Sequence, residues 1–354
     1  LTIAANGTLS APRGNLDIFG GTTGSPNGNF NNSGTFTHNN GTVITHGHDS
    51  HFQDSGTVEP VFYNLTLGVN DTGHGDIQLN DSRNITIENS LISTGAGTLR
   101  PASMTTTIGT ATSAGNITMG AEDDIVMKSN SDTPIFQGAS SLYPAEIKTN
   151  QPFNFGIKTS ENWQFKWVDF QVALDTNTGG SNAATITLTG DCEFDAVTVS
   201  SGDTLDLNGQ RAEFSGLLTG AGTIACGTNA LIETSGHISF DNSGTWTGNA
   251  NVIHQGAIAG SPYSHYKPSS AAADGITNLM WNNDANPQRW ANGFVKNLII
   301  ADGDSSFGDP SPTTGPIENI TIATGASLNG SDRTITCAGD FTTSGGLLGA
   351  SCLK

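Results

Sequence analysis

The chain has 354 residues, of which 45 are Gly; only 13% are charged, and the formal net charge is −19. Helix formers such as Lys, Glu and Arg are scarce and no long stretch has a 3.6-residue apolar period, which argues against a helical bundle or an alternating α/β enzyme. The acidic balance argues against nucleic-acid binding, which needs Lys and Arg to neutralise phosphates, and against an anionic membrane surface; no apolar run approaches the roughly 20 residues that span a bilayer.

Leu1-Thr2-Ile3 already reads as a strand. No signal peptide is visible. The start at Leu1 rather than Met leads us to expect a processed product or an excised segment of a longer chain. Asn6-Gly7-Thr8-Leu9 resembles the tail of a repeat that recurs further on. Apolar residues then alternate with polar ones, as in Ile85-Thr86-Ile87 and Val197-Thr198-Val199. That period of two is a strand signal which disordered chains lack.

His38, His46, His48 and His51 crowd one stretch, with Asp49 and Asp54 nearby. In a strand His46 and His48 point to one face, a spacing that suits a metal ion between two imidazoles. They are therefore the candidate ligands for a transition metal, with a polar, solvated turn as the alternative. Scattered Asp and Asn oxygens are candidates for Ca²⁺. No other cofactor is expected.

A short unit follows: an apolar residue, any residue, Asn, then a β dipeptide with Thr and a Gly or Asn turn. Phe62-Tyr63-Asn64-Leu65-Thr66-Leu67 opens one copy, and Arg83-Asn84-Ile85-Thr86-Ile87 lies within it. Each unit ends in a Gly-rich corner, as in Thr94-Gly95-Ala96-Gly97-Thr98-Leu99 and Thr219-Gly220-Ala221-Gly222-Thr223-Ile224. Short strands joined by corners with positive φ are what a solenoid coil needs. The sequons Asn64-Leu65-Thr66, Asn84-Ile85-Thr86, Asn116-Ile117-Thr118 and Asn319-Ile320-Thr321 are read as Asn at a corner and Thr in a strand, not as glycosylation sites.

Glu122-Asp123-Asp124 is the one dense acidic run. With Asp169 or Asp175 it could supply paired carboxylates for glycan hydrolysis, or Ca²⁺-binding acids for a lyase. A lyase also needs a basic residue, and the chain has only 13 Lys plus Arg. No GxSxG elbow, P-loop or dinucleotide fingerprint is present, and catalysis is not expected. Residues 150–175 hold Phe153, Phe155, Trp163, Phe165, Trp167 and Phe170, a strand pattern with one aromatic face that either fills a coil or forms a binding platform.

Further copies of the unit begin at Ala196-Val197-Thr198-Val199, Phe294-Val295-Lys296-Asn297-Leu298 and Glu318-Asn319-Ile320-Thr321-Ile322. A longer repeat sits above them. Asn32-Ser33-Gly34-Thr35-Phe36-Thr37 matches Asn242-Ser243-Gly244-Thr245-Trp246-Thr247, an offset of 242 − 32 = 210 residues. Val43-Ile44 matches Val252-Ile253 at 209, but Asn64-Leu65 matches Asn297-Leu298 at 233, so the second copy carries 233 − 209 = 24 extra residues.

The expected architecture is all-β: a β-solenoid, like a parallel β-helix, of two diverged blocks. These are residues 1–149 and 186–354, with the aromatic-rich region at 150–185 between them. The extra residues are expected to form a loop insertion near 257–293. Insertions in repeat proteins map to loops that often bind, so Tyr263, Tyr266, Trp281 and Trp290 are the candidate binding residues. Cys192, Cys226, Cys337 and Cys352 form no CxxC pair; two disulfides and free buried thiols both remain open.

The Asn-(Leu/Ile)-Thr-(Ile/Leu) strand and the Asn-Ser-Gly-Thr-(Phe/Trp)-Thr motif resemble β-helical virion proteins of tailed bacteriophages: tail fibres, tailspikes and head fibres. They also resemble the β-helical adhesins of bacterial surfaces. The phage resemblance implies a homotrimer and display on the virion surface; other virion proteins and a cell-surface glycan are the further partners expected. The tailspike variant implies polysaccharide degradation. The adhesin resemblance implies a long extracellular monomer.

Overall fold

The structure is a computed structural model. It describes residues 1–19, 30–46, 50–54, 59–69, 75–79, 84–93, 97–101, 105–119, 124–125, 135–149, 162–171, 173–176, 183–235, 238–239, 244–255, 265–266, 276–282, 289–290, 295–306 and 317–353. Every regular element among them is a β-strand. The fold is a β-solenoid, and the chain divides into two compact units, Leu1–Cys192 and Glu193–Lys354.

The first unit is a stack of short parallel strands. Thr2–Ile3, Phe30–Asn32, Ser50–Asp54, Gly75–Leu79, Gly97–Pro101 and Asp124–Ile125 form one six-stranded face. Asn15–Phe19, Thr42–His46, Val61–Val69 and Ile85–Ser93 stack in parallel on another. Ile85–Ser93 then pairs with both Thr105–Thr110 and Ser113–Met119, so one long strand is succeeded by two. Alternate residues point inward, where Ile18, Val43, Phe62, Leu65, Ile87 and Leu91 are buried.

The aromatic-rich region enters this stack as one more coil. Asn162–Lys166 pairs with Ile135–Gly138 on one side and Thr185–Leu188 on the other. Trp163, Phe165 and Phe170 are at most 1% exposed. Phe165 meets Phe170 edge-on at 5.1 Å, and Trp163 lies 5.7 Å from Phe136 of the preceding coil. Such pairs add about 0.5–1.5 kcal/mol to the burial of their area. Phe153 and Phe155 lie outside the described residues.

The second unit shows three strands per coil at its start. Thr204–Asp206, Arg211–Phe214 and Leu218–Gly220 are succeeded in parallel by Thr223–Ala225, Ala230–Thr234 and Ile238–Ser239. Corners are set by residues in the left-handed region. Asn208 (φ 48°) and Gly209 (φ 75°) make a two-residue turn closed by the Gln210 N–H donating to Leu207 O at 2.8 Å. At Gly220 (φ 135°) a Cβ would run into the Val199 carbonyl of the previous coil, so only glycine fits.

The 24 extra residues of the second copy correspond to a coil, not to a loop insertion. In the first unit Val43 pairs directly with Leu65. In the second, Val252 pairs with Leu279, and Leu279 with Leu298. The strand Ile276–Asn282 is therefore an additional rung, and 24 residues matches the 19 to 27 residues between equivalent positions of successive coils here.

One column of side chains runs through these rungs. Asn251, Asn278, Asn297 and Asn319 occupy the same register position. The amide Nδ2 of Asn278 donates to Asn251 Oδ1 at 2.6 Å, Asn297 to Asn278 at 2.8 Å, and Asn319 to Asn297 at 2.9 Å. The Asp340 N–H closes the column by donating to Asn319 Oδ1 at 2.8 Å. Asn278, Asn297 and Asn319 are each the second of two consecutive residues that leave the core at a bend in the strand, whereas Asn251 lies in plain alternation between Ala250 and Val252. A shorter column in the first unit joins Thr42, Asn64 and Asn89.

Truncating Asn297 to Ala removes two amide–amide bonds and strands half-buried partners above and below. We expect a loss of about 2–3 kcal/mol in urea unfolding. Lys296→Ala, on the exposed neighbour, should stay within about 0.5 kcal/mol of the parent.

Candidate binding surface

His46 is the last residue of Thr42–His46, which lies beside Asn15–Phe19 with Phe19 opposite His46. Its Nε2 meets Asp17 Oδ1 at 2.7 Å, and its ring stacks on Phe19 with centroids 4.4 Å apart and planes 12° from parallel. His38 repeats the composition in a looser form. It lies 3.4 Å from Glu88, stacks on Tyr63 at 5.9 Å, and accepts the Asn40 N–H at Nδ1. In both cases a carboxylate fixes an imidazole and the imidazole backs an aromatic ring.

His48, the second expected metal ligand, lies outside the described residues, and nothing is described of the His51 side chain. The structure does not bring His46 to another histidine among the described residues; it gives Nε2 to a carboxylate. Among the described residues no group of three or more His, Cys, Asp or Glu is placed to hold a metal ion. His254, which matched the His46 region in sequence, is wholly buried, in an inward column between Thr234 and Trp281.

Of the four candidate binding aromatics, Trp281 is a core residue. It sits in Ile276–Asn282 at 0% exposure, facing inward because the bend at Asn278 sets Leu279 and Trp281 toward the core. Tyr266 and Trp290 fall in short paired strands, His265–Tyr266 and Arg289–Trp290, whose side chains are not described. Tyr263, Glu122 and Asp123 lie outside the described residues. Asp124 opens the strand Asp124–Ile125 on the six-stranded face.

Arg211 was not singled out in the sequence, yet it organises three carboxylates. It hydrogen-bonds Glu233 at 2.8 Å, pairs with Glu213 on its own strand, and lies 3.7 Å from Glu193. Glu213 and Glu233 sit opposite each other on adjacent rungs, a like-charge pairing that is destabilising without a bridge. Partial burial works against the guanidinium charge, but Glu233 and then Glu213 outweigh it and hold the Arg211 pKa above its ordinary value.

Cys192, Cys226 and Cys337 are buried, and Cys226 and Cys337 are free thiols; the side chain of Cys352 is not described. Burial pushes the Cys226 thiol far up, and the negative charge of Asp206 adds to it.

No family model matches this chain, and neither a curated protein nor a solved structure matches it.

Two outcomes follow from burial. Trp281→Ala should cost about 3–5 kcal/mol of stability in urea unfolding, as for other buried aromatics. The folded chain keeps the Cys226 proton while the unfolded chain loses it above the ordinary thiol pKa of about 8.5. Unfolding then releases a proton, so stability falls as pH rises beyond that point. Cys226→Ala should flatten this fall by up to about 1.4 kcal/mol per pH unit.

Proposed function

We propose that this chain is a structural and adhesive protein displayed on the outside of a bacteriophage particle, serving attachment or particle architecture rather than catalysis. The observation that carries the reading is the register-locked stack. Amide columns, buried apolar faces and glycine corners make each unit a stiff body whose outward positions are free to vary. Stacked repeats in which each coil contacts only its neighbours suit a unit that presents residues from coil to coil. Many weak contacts spread along such a surface can sum to firm attachment. The strand and Asn-Ser-Gly-Thr motifs that resemble phage fibres and tailspikes give the setting.

The partners of such a protein are copies of itself in a trimer, other virion proteins and a cell-surface glycan. The net charge of −19 keeps a long β protein soluble and discourages edge-to-edge association.

The test is the native mass of the purified chain by sedimentation equilibrium. A stable trimer is expected. A clean monomer would contradict the self-trimerising fibre and favour a solenoid segment of an extracellular bacterial adhesin.

A further inference from the structure

We infer that Phe19, His46 and Asp17 form a stacking subsite for a neutral pyranose unit of a glycan. The inference deepens the adhesive reading by naming a site and a ligand class, and it rests on that reading. A single exposed apolar side chain on a protein surface needs no explanation. Phe19 differs because it is prearranged. It lies at the outward end of Asn15–Phe19 and is 70% exposed, yet its ring is held flat by His46 at 4.4 Å and 12°. His46 is itself fixed by Asp17 at 2.7 Å. One face of the phenyl ring is thus backed by imidazole, and the side chain as a whole stays open to solvent.

The chemistry selects the ligand. A flat aromatic face takes an apolar face of a partner, and a pyranose offers one in its axial C–H groups. Asp17 uses Oδ1 on His46; Oδ2 meets no donor among the described residues, and the carboxylate is 39% exposed. It can accept a hydroxyl at the rim of a stacked sugar. An acidic ligand is disfavoured by the carboxylate and by the net charge of −19. A cation is the competing occupant, because the aromatic face, the Asp17 carboxylate and the net charge of −19 all attract it, and the charged probe below separates the two. A large apolar partner has only Ile44 beside the ring, since the other neighbouring outward positions carry Asn15, Asp17 and Thr42.

Prearrangement matters because ordering a side chain on binding costs roughly 0.5–1.5 kcal/mol. A ring already fixed by its neighbour escapes most of that. One such site is weak, and the stiff scaffold allows repeated engagement along a polymer.

The test is saturation-transfer NMR on the full chain with maltohexaose, cellohexaose and chitohexaose as neutral probes, and pentalysine and polygalacturonate as charged ones. Millimolar binding of at least one neutral probe is expected. Phe19→Ala should weaken it by about tenfold or more, and Asp17→Asn by a few fold. Leu142→Ala, at another highly exposed apolar residue (82%), should leave it unchanged. Phe19 and Leu142 are exposed, so both variants should fold, which far-UV circular dichroism checks.

Failure of every neutral probe to bind overturns the inference. So does equal binding by the parent and Phe19→Ala, or Phe19-dependent binding of a charged probe alone. The native mass is read separately. A monomer that still shows Phe19-dependent sugar binding would overturn the virion setting and keep the subsite.

Discussion

Register between coils is the constraint on which the rest of this structure depends. A parallel stack places the same position of every coil in one column, so each column must be self-compatible. Aliphatic columns satisfy this by burial. A half-buried amide satisfies it only if the groups above and below are hydrogen-bonding partners in phase, because an unmet polar group costs about 1–3 kcal/mol. The Asn251–Asn278–Asn297–Asn319 column meets the condition, with the Asp340 N–H as its terminus. A slip of one residue would break every bond in it and turn each buried Ile or Leu outward.

Much of the fold was legible because this constraint writes itself into the sequence. Asn64-Leu65 and Asn297-Leu298 match across the two copies since both are ladder positions. The alternation Val197-Thr198-Val199 and the corner at Gly220 also read directly. The additional coil was missed. Its flanks are polar and irregular, and the low apolar content suggested a loop. Yet Ile276-Thr277-Asn278-Leu279 carries the same apolar-x-Asn-apolar signature as Val295-Lys296-Asn297-Leu298. That match could have found the rung and placed Trp281 inside.

The outward-facing chemistry was much less legible. The partner of His46 is 29 residues earlier, on another coil, and no local spacing encodes that. The spacing of His46 and His48 suggested a metal site; the structure shows a strand-to-strand contact of His46 Nε2 with Asp17, and His48 lies outside the described residues. Arg211 likewise shows its role only once Glu213 and Glu233 are stacked on adjacent rungs. In a solenoid the inward pattern follows sequence period, whereas surface constellations are assembled from residues a full coil apart. The first is visible in a window of a few residues, and the second needs the coil length.

The most direct measurement of the account is native-state hydrogen exchange across residues 250–302. Backbone amides of Ile276–Asn282 hydrogen-bonded as a rung between Ala250–Gln255 and Val295–Asp302 should exchange as slowly as those of the two flanking strands. Exchange of Ile276–Asn282 at loop-like rates, with the flanking strands protected, would contradict the additional coil and the amide column that runs through it.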